Sequence, residues 1–104
     1  MKTAVASEVL GRVGRALADE SRRRILLLLL GGTSYPSDIA NELGFTRANV
    51  SNHLACLRGC GLVYAVPEGR RVRYELSDPR LAAALEVLAE LDLETPDPCA
   101  DEAR

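Results

Sequence analysis

The sequence predicts a mainly α domain with one small β-hairpin, and three observations carry that expectation. Apolar residues recur at helical spacing along most of the chain. Two short runs rich in β-branched and aromatic residues, LVYAVP and RVRYELS, flank Glu68-Gly69 and read as a hairpin. Glycine, proline and small polar residues stand between the segments where helices start and stop.

Val5, Val9, Leu10, Val13 and Leu17 fall on one helical stripe, so a first helix is expected from about Thr3 to Ala18. Asp19-Glu20-Ser21 supplies polar N-terminal caps for a second helix, which Gly31-Gly32 ends. Its tract Ile25 to Leu30 is apolar all round and is expected at the centre of the core. Arg22 to Arg24 lie on its first turn, where the helix dipole disfavours cations but a phosphate partner would welcome them. Pro36 opens a short third helix, PSDIANEL, closed by Gly44. Thr46 caps a fourth, TRANVSNHLACLRGC, which Gly61 terminates. In the hairpin, Val72, Tyr74 and Leu76 face one side. Arg71 and Arg73 face the other and, with Arg70 at the tip, are expected to form a basic ribbon. Asp78-Pro79 starts a last helix with the stripe Leu81, Ala84, Leu85, Leu88 and Leu91. Residues 1–94 are read as one domain and residues 95–104 as an acidic, extended tail.

A chain of 104 residues supports one domain with a modest core, so association is expected. The stripes Val9/Val13 and Leu81/Leu85/Leu88 exceed what that core can cover and predict a homodimer built from the first and last helices. MKTAVASEVLGRVGRA is interrupted by charge too early for a signal peptide, and no apolar run is long enough for a bilayer. The expectation is a cytoplasmic protein without a membrane partner, whose three cysteines are free thiols or ligands and not a disulfide framework. The net charge of −2 is divided unevenly. Residues 1–74 hold 11 Lys/Arg against 6 Asp/Glu, and residues 75–104 hold 2 against 9. A basic body with an acidic tail can supply phosphate attraction. A catalytic triad and a phosphate loop are both missing, and with a single histidine the chain is not expected to be an enzyme or to need an organic cofactor.

Helix, helix, helix-turn-helix, hairpin and helix is the order of a winged helix-turn-helix domain. On the fourth helix, at about 100° per residue, Val50, Leu54 and Leu57 cluster within about 60° and define the buried face. Arg47, Ala48, Ser51 and Asn52 point away from it and are candidates for contact in the major groove, with Arg70, Arg71 and Arg73 anchoring the wing on the backbone. Double-stranded operator DNA with an inverted repeat is the partner that a two-fold dimer would require.

Cys56 and Cys60 stand one helical turn apart on a different flank, in line with Asn49 and His53. Taken alone, such a pair reads most simply as two small apolar side chains, and a disulfide between them would strain its geometry. Cys99, between Pro98 and Ala100 in the polar tail, changes that balance. The six residue steps from Leu93 to Cys99 can span about 20 Å, enough to bring a third sulfur to the pair. Three thiolates make a soft site for large thiophilic ions, cadmium or lead first, zinc or arsenite as alternatives. His53 is a possible fourth ligand, although its place in VSNHL reads as structural.

ALADESRRRILLLL, DIANELGFTRANVSNHLACLRGCGLV and EGRRVRYEL together resemble the ArsR/SmtB family of dimeric winged-helix repressors over roughly Leu10 to Leu91, with VSNHLACLRGCGLV the most specific part. The ELCVCDL motif found in other members has no counterpart, because this chain reads PSDIANEL there. Cysteines at 56, 60 and in the tail resemble the cadmium/lead-sensing members. That resemblance implies a metal-responsive repressor, released from DNA when the ion binds Cys56, Cys60 and a partner subunit's Cys99. A thiol redox regulator or an arsenite-responsive repressor on the same scaffold is the alternative.

Overall fold

Asp19 starts the helix at the centre of the molecule. In the computed structural model, which describes residues 2–94, its carboxylate accepts the backbone N–H of Arg22 at 2.9 Å. The elements are α1 (Thr3–Ala18), α2 (Glu20–Leu30), α3 (Pro36–Leu43), α4 (Arg47–Gly59), β1 (Val63–Glu68), β2 (Arg71–Leu76) and α5 (Pro79–Ala89). Asp78 caps α5 in the same way, accepting from the Arg80 backbone N–H at 2.8 Å. Residues 95–104, with Cys99 and the expected tail, lie outside the described residues.

The core forms where α2 meets the helix-turn-helix. Ile25, Leu26 and Leu29 of α2 pack with Ile39, Ala40, Val50, Leu54, Leu57, Leu62, Val63 and Leu85, all buried. Truncating a leucine at such a position typically costs about 2–5 kcal/mol. The apolar tract of α2 is therefore central as expected, with one exception. Leu27 faces outward and is half exposed.

The arginines on the first turn of α2 are not held out for phosphate. Arg22 donates through Nε and Nη2 to the carbonyls of Ala16 and Arg15, and Arg23 donates to that of Leu17 at 2.8 Å. They neutralise the carbonyl end of α1, where a helix dipole favours cations. Arg24 reaches the Leu43 carbonyl at 3.3 Å and lies over the Phe45 ring, which closes the end of α3 in the same manner. What looked like a misplaced charge on one helix is a set of C-terminal caps for two others.

The strands pair antiparallel with Val63 opposite Leu76 and Glu68 opposite Arg71, and Gly69 takes φ 60° at the turn. A further connection was not visible in the sequence. Ser34, just before α3, exchanges both backbone hydrogen bonds with Tyr74, at 3.0 and 2.7 Å, and so ties the wing to the helix-turn-helix.

The expected dimer stripe is revised in detail. Leu85 is buried in the chain's own core, and Val13 and Leu81 pack against that core. Val9 and Leu88 are exposed as expected, and Val5, Leu10, Val87 and, beyond α5, Leu91 extend the exposed apolar surface. A cavity of about 290 Å³ between the end of α1, α2 and α5 opens beside it, lined by Leu17, Leu26, Leu27, Leu85 and Leu88. Among the described residues no helix is long and apolar enough to cross a membrane.

Candidate nucleic-acid interface and cysteine pair

The turn between α3 and α4 is built by Gly44, whose φ of 72° belongs to the left-handed region that glycine enters without strain. The next residue, Phe45, donates its backbone N–H to the Ala40 carbonyl at 3.0 Å. Thr46 then caps α4 by accepting the Asn49 backbone N–H at 3.1 Å. Val50, Leu54 and Leu57 are 0–1% exposed, so the buried face is the one the helical angles give. With that face fixed, Arg47, Ala48, Ser51 and Asn52 are all exposed on the outside of α4. Arg47 makes no ion pair among the described residues, and its guanidinium is available to a ligand.

The wing differs from its expectation. Arg70, at the tip, makes no ion pair among the described residues, but Arg71 and Arg73 are engaged within the chain. Arg71 lies 3.5 Å over the Tyr35 ring and donates to Asp38 of α3 at 3.2 Å. Arg73 is ion-paired to Glu75 beside it and stands 3.4 Å from Glu68, although its buried Nε finds no hydrogen bond there. Glu68 also accepts the Tyr35 hydroxyl. The ribbon expected to be basic is a mixed surface on which the three carboxylates Asp38, Glu68 and Glu75 face Arg71 and Arg73. Glu68 holds the Tyr35 phenol above its ordinary pKa, because it accepts the phenolic proton and would repel the phenolate.

Cys56 is exposed, and Cys60 is half-buried at the C-terminal cap of α4, where it packs against the core. Both are free thiols, one turn apart, with the Cys60 N–H bonded to the Cys56 carbonyl at 3.0 Å. Two soft donors separated by one turn, one of them open to solvent, fit a thiophilic ion that draws its remaining ligands from elsewhere. Among the described residues no group of three or more His, Cys, Asp or Glu gathers into a metal site. His53 lies between α4 and the start of α2. Its Nδ1 stands 3.9 Å from the Asp19 carboxylate, so it backs α4 against the start of α2. The Arg22 N–H that Asp19 accepts, with smaller help from the charges of Arg22 and His53, lowers the Asp19 pKa.

Tyr35, Asp38, Glu68 and Glu75 are the site residues that sequence reasoning missed. One local signal pointed to Tyr35. It occupies the N-cap of α3, a position usually held by Ser, Thr, Asp or Asn, yet it makes no capping bond and spends its side chain on the wing.

Comparison with known proteins agrees with this geometry. Residues 19–65 match the family model of the bacterial regulatory proteins of the arsR family. The HTH-type transcriptional regulator CmtR of Mycobacterium tuberculosis is 58% identical over 95 residues, which cover 89% of this chain and 80% of that one. The NMR structure of the cadmium metal-sensor CmtR from that organism superimposes with a TM-score of 0.69, covering 86% of this chain and 96% of that chain. A homodimeric winged helix-turn-helix DNA-binding domain from Mycobacterium bovis, described as a possible ArsR-family regulator, is 36% identical. It superimposes with a TM-score of 0.74 over 84% of this chain and 83% of that one.

Proposed function

From the premise that the chain belongs to the arsR family of bacterial regulatory proteins, we propose that it is a metal-responsive repressor acting as a homodimer on operator DNA. The single observation that carries the metal response is the placing of two free thiols, Cys56 and Cys60, at the C-terminal end of α4, the helix on which Arg47, Ala48, Ser51 and Asn52 are exposed. The similarity to a cadmium sensor makes cadmium the first ion to test, with lead, zinc and arsenite behind it.

Each region has a part in this reading. Arg47, Ala48, Ser51 and Asn52 enter the major groove, while Arg70, Arg71 and Arg73 serve the wing's backbone contact. The exposed Val5, Val9, Leu10, Val87 and Leu88 support pairing of α1 and α5 with a second copy, whose two-fold axis calls for an inverted-repeat operator. Cys56 and Cys60 hold the ion as thiolates, and Cys99 of the tail completes the set, from its own or the partner subunit.

Binding at Cys56 and Cys60 can release DNA only if it favours a conformation that fits the operator less well. The cysteine pair suits that demand. Cys60 is packed on the core at the helix cap, so a shift of its sulfur changes the tilt of the helix that carries Arg47 at its other end. Operator anisotropy with the reduced protein, with and without cadmium, tests the reading. Release of wild-type protein and retention of Cys56→Ser on DNA are expected, and wild-type protein that stays bound at saturating cadmium would overturn it. Oxidant-driven release without any metal effect would favour the redox alternative.

A further inference from the structure

We infer that Tyr35, Asp38 and Glu68 form a latch that decides how much of the wing's arginine charge reaches DNA, and that it thereby sets the ratio of specific to non-specific binding. The inference rests on the DNA-binding reading above. Its basis is the chain of contacts that crosses from the start of α3 to the wing. Asp38 holds Arg71 at 3.2 Å, Arg71 covers the Tyr35 ring at 3.5 Å, the Tyr35 hydroxyl donates to Glu68, and Glu68 stands 3.4 Å from Arg73.

A guanidinium presents the same fork to a carboxylate as to a phosphate, so a DNA phosphate must compete with groups already in place. The competition is open to exchange at Arg71. Its side chain is 53% exposed and that of Asp38 57%, and exposed ion pairs are weakly held. The tethered carboxylate nevertheless has the advantage of a high local concentration over any phosphate that merely passes. A phosphate held in register by α4 in the groove has the same advantage, and it can displace Asp38. On random DNA nothing holds the register, so Arg71 stays with Asp38 and the contact is not made. Removing the latch should therefore add contacts to the non-specific mode and change the specific mode little. Such selective weakening of the wrong complex is a recognised route to specificity.

The test is fluorescence anisotropy of the reduced, metal-free protein on a mixed-sequence duplex and on a duplex selected by the wild-type protein from a random pool, each across a salt series. Asp38→Asn is expected to tighten binding to the mixed-sequence duplex about tenfold and to steepen the salt slope by about one, and Glu68→Gln, which leaves Arg73 paired with Glu75, to tighten it about threefold. On the selected duplex the gain should be no more than about threefold. Glu42→Gln removes an exposed charge from the same helix without touching an arginine of the wing, and it should change either affinity less than about twofold. In an Arg71→Ala background the gain from Asp38→Asn should disappear, because the effect passes through that guanidinium. Gains equal to those of Glu42→Gln, or a gain from Asp38→Asn that survives Arg71→Ala, would overturn the latch alone. Wild-type protein that enriches and binds no duplex would overturn the DNA-binding reading and the latch with it.

Discussion

The recognition helix and the wing have the same proposed partner but are prepared for it in opposite ways. On α4, Arg47, Ser51 and Asn52 are exposed, and Arg47 has no ion partner among the described residues. On the wing, Arg71 and Arg73 are already paired with Asp38, Glu68 and Glu75. Uncommitted side chains can be aimed at base edges, whereas committed ones must exchange partners before they contribute. Under the proposed function, the difference suits the helix to sequence reading and the hairpin to adjustable, salt-dependent attraction.

The largest effect expected at α4 concerns the cysteines. If binding of an ion at Cys56 and Cys60 is coupled to DNA release by about 3 kcal/mol, saturating cadmium should weaken operator binding about 150-fold. Cys56→Ser and Cys60→Ser should each reduce that factor to near one, while Cys99→Ser should keep some metal binding and lose much of the release. Because thiolates must be deprotonated to bind, the metal affinity should fall as pH drops. Anisotropy titrations with and without cadmium measure all of these. A normal response from Cys56→Ser would remove the special role of α4's cysteine end.

A smaller change is expected at the other end of the same helix. Arg47→Ala should cost about 1–3 kcal/mol on the selected operator and flatten the preference among operator variants, because a guanidinium in the groove contacts base edges. Equal losses on operator and random duplex would show that Arg47 touches only phosphate. In that case the contrast between helix and wing would be one of degree.

Most of α4 was legible in the sequence, and most of the wing's chemistry was not, for a physical reason. The caps Asp19, Thr46 and Asp78 act on N–H groups two or three residues away, and the buried face of α4 follows from helical angles alone. The contacts Tyr35–Glu68 and Asp38–Arg71 each join residues 33 apart, and no periodicity or motif announces them. The arginines of α2 fell between these cases. Their unfavourable place on a first turn was visible, but the α1 and α3 carbonyls that accept them depend on how three helices meet. For Cys99 the test lies beyond the described residues, and the metal assay carries it.

The support behind α4 can be probed through Asp19, which caps α2 and faces His53. Asp19→Ala should cost about 1 kcal/mol of stability at neutral pH, the usual value of an N-cap. Because the folded-state pKa of Asp19 is lowered, the carboxylate contributes stability above its unfolded pKa and loses it as pH falls through the folded value. Denaturant midpoints of wild type and Asp19→Ala should therefore converge in acid, below the ordinary carboxylate range. Midpoints that stay equally far apart at every pH would show that the side chain acts through packing.

The smallest effect belongs to the wing and is spectroscopic. Glu68 raises the Tyr35 pKa by accepting the phenolic proton, so the bond stabilises the fold at all pH values below the phenol's unfolded pKa. That stability is lost only as pH rises through the higher folded value. Ultraviolet titration should show the Tyr35 phenol ionising above its ordinary range. Tyr35→Phe should remove that late component, and Glu68→Gln should return it toward the normal position, because a neutral amide no longer repels the phenolate. Arg71 and Arg73 act in the opposite sense on the same phenol, each favouring phenolate, so Arg71→Ala should push the Tyr35 titration higher still. A late component that responds to Glu68→Gln and to Arg71→Ala in opposite directions would place both partners around one ring, and one that ignores both would separate Tyr35 from the wing.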